Sequence, residues 1–382
     1  MVVKEIYSTI LDEIEIAGGK VFIVGGTVRD YLLNQEIDNQ DMDVEVYGLT
    51  MVQLQNVLQQ FGKVNEQGKS FGIVKLNEYP MIDFALPRIE KQIGVGHKEF
   101  EVQIDPALCY RKASKRRDFT INALMYDYHQ GIIHDFYQGI KDMNKGCLRM
   151  VDKDTFEEDP LRVLRLAQFL SRFSFTVDEQ TKKQCQYMVE NHRLDTLSNS
   201  RKYEETKKLV FGQKPSIGLV FLFEIGYIQV LSKEQYSIID HSKKEERYLL
   251  CLLCHFYQSD LFGIPKKIKD YYQRLLTMSE LDIEEDSKYY QFLHQLDSNI
   301  LLEDVLSWLE VIGKREEQKI LQNKINHLGV DAPTPILKGN DFIELGIVPS
   351  KYLGILYEDC YQKQLSGYSK RELVQYIKEM KR

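Results

Sequence analysis

Three acidic residues alternate along the run DNQDMDVEVYG: Asp41, Asp43 and Glu45. On an extended strand a period of two places all three on one face, with Met42, Val44 and Val46 turned to the core. Carboxylates two residues apart project side by side and supply the hard oxygen ligands that hold Mg²⁺. Such an ion can activate an attacking hydroxyl and stabilise a departing oxygen. By itself an Asp-x-Asp is equally at home on a solvated strand. Asp83, in MIDFAL, strengthens the metal reading, because Ile82 and Phe84 on either side point the other way. If its strand pairs beside the first, Asp83 joins the cluster and binds metal or accepts the proton of the incoming hydroxyl. Glu45 competes for that role.

Upstream, VFIVGGTVRDYLL reads as buried strand, glycine turn and helix. Gly25 and Gly26 let the main chain approach a triphosphate closely, and Arg29 in the first helical turn is placed to pair with phosphate oxygens. The spacing is neither that of a P-loop nor that of the dinucleotide fingerprint. In EDPLRVLRLAQFLSRF, Asp159 suits a helix N-cap and Pro160 the first helical position. Arg162 and Arg165 then follow at three-residue spacing on one face. An acceptor (Asp159) beside a donor (Arg162) complements the Watson–Crick edge of cytosine or adenine. Uracil and guanine present the reverse pattern, at a cost of about 1–3 kcal/mol for each unpaired group. A capped helix with a salt bridge is the plainer alternative.

The elements that must position these groups differ along the chain. VFIV (21–24), DVEVYG (43–48), GIVKL (72–76), MIDFAL (81–86) and GIIHDF (131–136) suit strands of a half-buried sheet, and MVQLQNVLQQFG has helical spacing with a terminal glycine. From Glu158 onward long helical patterns take over. The 382 residues suffice for at least two cores. A net charge of −7 argues against broad non-specific nucleic-acid binding, so an RNA partner would need local basic surface. RKASKRR (111–117), residues 201–208 and residues 266–269 offer it. The N-terminus reads as a first helix and not as a signal peptide, and no apolar run is long enough to span a bilayer. Six scattered cysteines make no disulfide framework, which points to a reducing cytoplasm.

The ordered set GGTVRDYLL, DMD, RRDFTINAL and EDPLRVLRLAQF resembles the class II tRNA nucleotidyltransferase and poly(A) polymerase family, with motifs between Gly25 and Glu205 and weaker similarity towards the C-terminus. The resemblance implies an α+β fold: a DNA polymerase β-like head with a mixed sheet and helices (1–146), then an all-helical neck (147–212), body (213–276) and tail (277–382). It implies that Asp41 and Asp43 bind Mg²⁺, with Asp83 as third carboxylate. Gly26, Arg29, Arg117 and Arg165 would contact phosphates, Asp118 the ribose hydroxyls, and Asp159 with Arg162 the base; Asn122 belongs to the same motif as Arg117. SNSRKYEE resembles a supporting motif, with Arg201 and Glu205 as a brace. PRIEKQIGVGHKEF resembles the flexible loop that complete CCA-adding enzymes use, against addition of two C residues alone. Gln168 stands where the family usually has arginine, and Arg172 is the nearest substitute.

The implied activity is addition of C, C and A to the 3′ end of tRNA from CTP and ATP, with the helical region gripping the acceptor arm and T-arm. A poly(A) polymerase with the same head is the nearest rival. A non-catalytic RNA-binding or assembly protein is the rival of another class. Cys251 and Cys254 lie in an apolar helical run and read as core, as does Trp308. The tail resembles a phosphohydrolase scaffold (KGNDFIELGIVPSKYLG) but reads as catalytically empty, since the remnant of such a site upstream, His241 and then LCHF, has Phe256 where the aspartate would stand.

Overall fold

The computed structural model describes residues 5–34, 42–65, 72–92, 100–242, 246–297 and 300–380. It divides into two compact units, Met1–Ile264 and Pro265–Arg382. Head, neck and most of the expected body therefore share one unit.

The head is built on strands β1 (Lys20–Val24), β2 (Met42–Tyr47), β3 (Val64–Asn65), β4 (Ile73–Leu76), β5 (Tyr79–Ala85), β6 (Arg88–Gln92), β7 (Phe100–Ile104), β8 (Met125–Asp127) and β9 (Ile132–His134). Seven of them form a mixed sheet in the order β3-β4-β5-β2-β1-β8-β9. Only the β2–β5 pairing within it is parallel. All five segments read as strands from the sequence fall in this sheet. Four strands were not foreseen: β3 and β8, which are short, and β6 and β7, which form a separate antiparallel ribbon. That ribbon occupies the ends of the segment expected as a flexible loop, whose middle (93–99) lies outside the described residues.

Helix α1 (Glu5–Ile16) buries Ile10, Leu11 and Ile14 against β1 and against α3 (Met51–Leu58). Thr50 and Gln53 close the N-terminus of α3 with a reciprocal capping box. Between them α2 (Gly26–Leu32) follows β1 directly. Helices α4 (Tyr110–Lys115) and α5 (Gly139–Asn144) complete the head. The strands alternate as their pattern demands: Met42, Val44 and Val46 are buried opposite Ile82 and Phe84.

The neck and body carry α6 (Lys153–Glu158), α7 (Leu161–Phe173), α8 (Glu179–Glu190), α9 (Asn199–Val210) and α10 (Pro215–Glu224). The neck is not wholly helical. Thr176–Val177 pairs in parallel with Cys147–Leu148, closing the turn after Ser174, which ends α7 in a left-handed conformation. Helix α7 packs on α9 and α10, with Gly218 so close to the Ala167 carbonyl that an added Cβ would lie 2.3 Å from it. The second unit is helical from Lys266–Glu280 to Lys370–Met380. One of its cores gathers Leu337, Phe342, Leu356, Leu373 and Ile377, and Trp308 is fully buried. Cys251 is buried in the apolar helix Glu246–Phe256, as its run suggested. Among the described residues no helix is long and apolar enough to cross a membrane.

Candidate active site

β2 and β5 run parallel in register, with Asp43 opposite Asp83. Parallel partners point to the same face, and neighbouring strands lie about 4.8 Å apart. Asp43 is exposed and Asp83 half-buried, so the two carboxylates meet on the open side of the sheet. Asp41 lies outside the described residues, and among those described no group of three His, Cys, Asp or Glu is placed to hold an ion. Glu45, on the same face, is buried beneath Arg116 (2.8 Å) and accepts the Tyr47 hydroxyl (2.9 Å). Burial pushes its pKa up, but the Arg116 and Arg117 charges and these hydrogen bonds override it and hold the carboxyl below its usual range. Glu45 is committed to this pair and does not share the open edge.

The turn between β1 and α2 is made by Gly25, at φ +72°, a left-handed conformation that favours glycine. A Cβ on Gly25 would lie 3.3 Å from Arg117 Nη1 and 3.4 Å from Asp43 Oδ2. The missing side chain thus keeps open the gap between an arginine and the carboxylate edge. That gap belongs to a cavity of about 1130 Å³ lined by Gly25, Gly26, Asp43, Arg117 and the polar face of α7. Eight basic side chains and four acidic ones line it, a basic hollow in a chain of net charge −7. Its size exceeds that of an ordinary small-molecule pocket, and leaves room beyond one nucleotide.

Six of the arginines on its walls, Arg29, Arg116, Arg162, Arg165, Arg172 and Arg201, are held by partners before any ligand arrives. Arg29 is buried, forks onto Asp30 (2.8 and 2.9 Å), donates to Asn122 Oδ1 (2.6 Å) and packs against the rings of Phe169 and Phe173. The expected phosphate arm is therefore a buried clamp between head and neck, because Asp30 follows it directly and neutralises it. Asn122 passes the chain on by donating to Asp118 Oδ1 (2.9 Å). Asp118 Oδ2 accepts from Arg165 at 2.8 and 2.7 Å. Burial alone would raise the Asp118 pKa. The Arg165 charge, the Asn122 hydrogen bond and the Arg162 charge outweigh it and bring the value down to about 2. Arg165 in turn is held more firmly protonated, first by Asp118. Asp118, expected to meet ribose hydroxyls, thus anchors Arg165. Arg172 reaches Asp30 at 3.1 Å, and Gln168 is buried on the cavity wall between the two arginines.

At the other end of α7 the expected base-reading pair is arranged differently. The helix starts at Leu161, one residue later than anticipated. Asp159 Oδ1 accepts the Leu161 N–H at 3.2 Å, and Pro160 occupies the cap. Asp159 pairs with Arg201 of α9 (3.0 Å), not with Arg162. Arg162 donates to the main-chain carbonyls of Thr155 (2.5 Å) and Arg116 (2.6 Å), and burial lowers its pKa. Both side chains still line the cavity. The supporting motif braces two points: Arg201 holds Asp159, while Glu205 lies 3.7 Å from Arg165 and 2.9 Å from Lys208.

Of the site residues expected from the sequence, Gly25, Gly26, Arg29, Asp43, Arg117, Asp118, Asp159, Arg162 and Arg165 line this one cavity. Asp83 stands beside Asp43 in the sheet without lining it. Arg116 and Arg201 also line it and were not foreseen as site residues. The doubled arginine of KRRD was a signal for Arg116. Arg201 reaches its carboxylate across 42 residues, which no local pattern reveals.

Residues 21–149 match the family described as "Poly A polymerase head domain", and residues 174–238 match "Probable RNA and SrmB- binding site of polymerase A". A "Multifunctional CCA protein" of Pasteurella multocida is 36% identical over 218 residues, covering 56% of this chain and 50% of that protein. Another of that name, from Stenotrophomonas maltophilia, is 36% identical over 200 residues, covering 52% and 47%. The chain spans about half the length of these curated relatives. Among solved structures, a Bacillus stearothermophilus CCA-adding enzyme in complex with CTP superposes with TM-score 0.68 at 21% identity, over 99% of this chain and 98% of that one. A Thermotoga maritima CCA-adding enzyme complexed with tRNA gives 0.66 at 20% identity, over 100% and 97%. Fold and cavity define an α+β nucleotidyltransferase head joined to a helical neck. The chain belongs to the family of CCA-adding enzymes and poly(A) polymerases.

Proposed function

We propose that this chain is a template-independent RNA nucleotidyltransferase that adds C, C and A to the 3′ end of tRNA from CTP and ATP, releasing pyrophosphate. The observation that carries the reading is one cavity that joins an exposed strand carboxylate, Asp43, to a wall of pre-positioned arginines. The curated relatives' name supports CCA addition over polyadenylation.

The open carboxylate edge fits a hard divalent cation, because its donors are oxygens on adjacent strands at the same level. Asp43 with Asp41 would hold Mg²⁺, and Asp83 would support the ion or take the proton of the RNA 3′-hydroxyl. When bound, Mg²⁺ would activate that hydroxyl and neutralise charge at the α-phosphate. Main chain at Gly25 and Gly26 approaches the triphosphate, and Arg117 and Arg165 supply charge along it. Arg29 acts indirectly, by fixing the glycine turn to the neck. Asp118 orients Arg165 and would accept from the ribose hydroxyls. Asp159 and Arg162, both on the cavity wall, would read the Watson–Crick edge. Residues 1–146 carry the chemistry and 147–212 the base reading, while 213–276 and the catalytically empty 277–382 grip the acceptor arm and T-arm. The cytoplasm is the proposed location.

The test is incubation of the purified protein with tRNA lacking its CCA end and with each nucleoside triphosphate separately, then with CTP and ATP together. Two C residues followed by one A is the expected product. Long runs of A alone would assign polyadenylation, and an intact tRNA complex without turnover would assign a binding protein.

A further inference from the structure

The row of charges on the open face of the sheet continues past Asp83. Lys75 of β4 is the register partner of Asp83, and its Nζ lies 2.7 Å from Asp83 Oδ1. The row across β2, β5 and β4 is thus Asp43, Asp83, Lys75, all on one face. Oδ1 is closed off from solvent and meets the ammonium without the alignment of a hydrogen bond, so the contact is one of charge. The β4–β5 pairing also shifts between Lys75 and Leu76. A bulge at such a place re-aims the side chain beside it. Lys75 itself is about half exposed and does not line the cavity, so it is not a ligand for nucleotide.

We propose that Lys75 is a positioning residue for Asp83. It keeps Oδ1 out of the metal-binding edge, so that Asp83 offers only Oδ2 towards the ion and the attacking hydroxyl. The proposal rests on the nucleotidyl transfer reading above. An ammonium that shares a carboxylate with a divalent cation competes for the oxygen and repels the ion. The protein accordingly gives up metal affinity for a fixed carboxylate orientation, and orientation is what an in-line attack needs. Without the ammonium, Oδ1 loses its counter-charge and turns to the ion. Binding then tightens while the geometry for attack degrades.

The test measures Mn²⁺ affinity by electron paramagnetic resonance of the free ion, without nucleotide or RNA, and separately the kcat and KM of nucleotide incorporation. Lys75→Met should bind Mn²⁺ about threefold or more tighter, with kcat down about tenfold and nucleotide KM unchanged. Lys75→Arg should restore both. A lysine of purely structural value would change thermal stability and leave metal affinity alone. Parent-like or weaker Mn²⁺ binding by Lys75→Met overturns the proposal, as does failure of arginine to rescue. Should the methionine variant not fold, Lys75→Gln is read by the same criteria. A parent whose Mn²⁺ binding ignores Asp43→Ala, or that incorporates no nucleotide, overturns the transfer reading itself and this inference with it. An active parent whose metal affinity is insensitive to position 75 overturns the role of Lys75 alone.

Discussion

The two walls of the cavity are built on opposite plans. On the helical wall Arg29, Arg162, Arg165 and Arg201 each donate to partners at 2.5–3.1 Å, and the chain Asp30, Arg29, Asn122, Asp118, Arg165 links head to neck without a break. On the sheet wall Asp43 is exposed beside a glycine turn that leaves space where a side chain would stand. The first wall has fixed its geometry by internal pairing. The second leaves its carboxylate edge open, and in the function proposed above that edge takes the divalent ion. Damage to the first should therefore show in folding and selectivity, and damage to the second in turnover.

The largest effect falls on the sheet wall. Asp43→Ala should slow incorporation by about a thousandfold, with stability within about 0.5 kcal/mol of the parent because the residue is exposed. Rapid-quench incorporation and urea unfolding check the two halves, and parent-like turnover would erase the contrast. Next, Asp118→Ala removes the partner of Arg165 and should cost about 3 kcal/mol of stability, read from the urea midpoint. The same residue sets an acid limb. Its carboxyl is held at about 2, below the ordinary 3.8. Its stabilisation is therefore complete above pH 4 and is lost as the pH falls towards 2. Asp118→Asn should show a flatter stability profile in that window; a profile parallel to the parent's would contradict the buried pairing.

Smaller effects sharpen the contrast within the helical wall. Asp159→Ala should relax discrimination against UTP and GTP by about tenfold to a hundredfold, measured as ratios of kcat/KM, while leaving Mg²⁺ dependence alone. Lys208→Ala removes the hydrogen bond that the buried Glu205 accepts at 2.9 Å and should cost about 1–2 kcal/mol, read from the urea midpoint.

Much of the sheet was legible because its strands announce themselves by alternation and burial, as in VFIV and MIDFAL. The elements missed mostly have no such signal, although β7 (FEVQI) alternates and could have been read. β3 is two residues long, β8 is hidden at the end of a motif, and β6 (RIEKQ) is too polar to read as a strand. The site residues were legible as types, and nine of them line one cavity. Their partners were not. Asp30 beside Arg29 is visible in the sequence, yet only the fold shows that it closes on that guanidinium and not on solvent. Arg165 meets Asp118 across 47 residues, and Asp159 meets Arg201 across 42. Which cation holds which carboxylate depends on how α7 and α9 pack, and periodicity within each helix carries no such information.

Arg162 makes its two contacts with carbonyl oxygens of the main chain, at Thr155 and Arg116. Peptide carbonyls are present whatever side chain a codon specifies. Sequence drift at those two positions can alter packing but cannot delete the acceptors. The tether on this cation is thus inherited with the path of the backbone, and stays in place for as long as that path does.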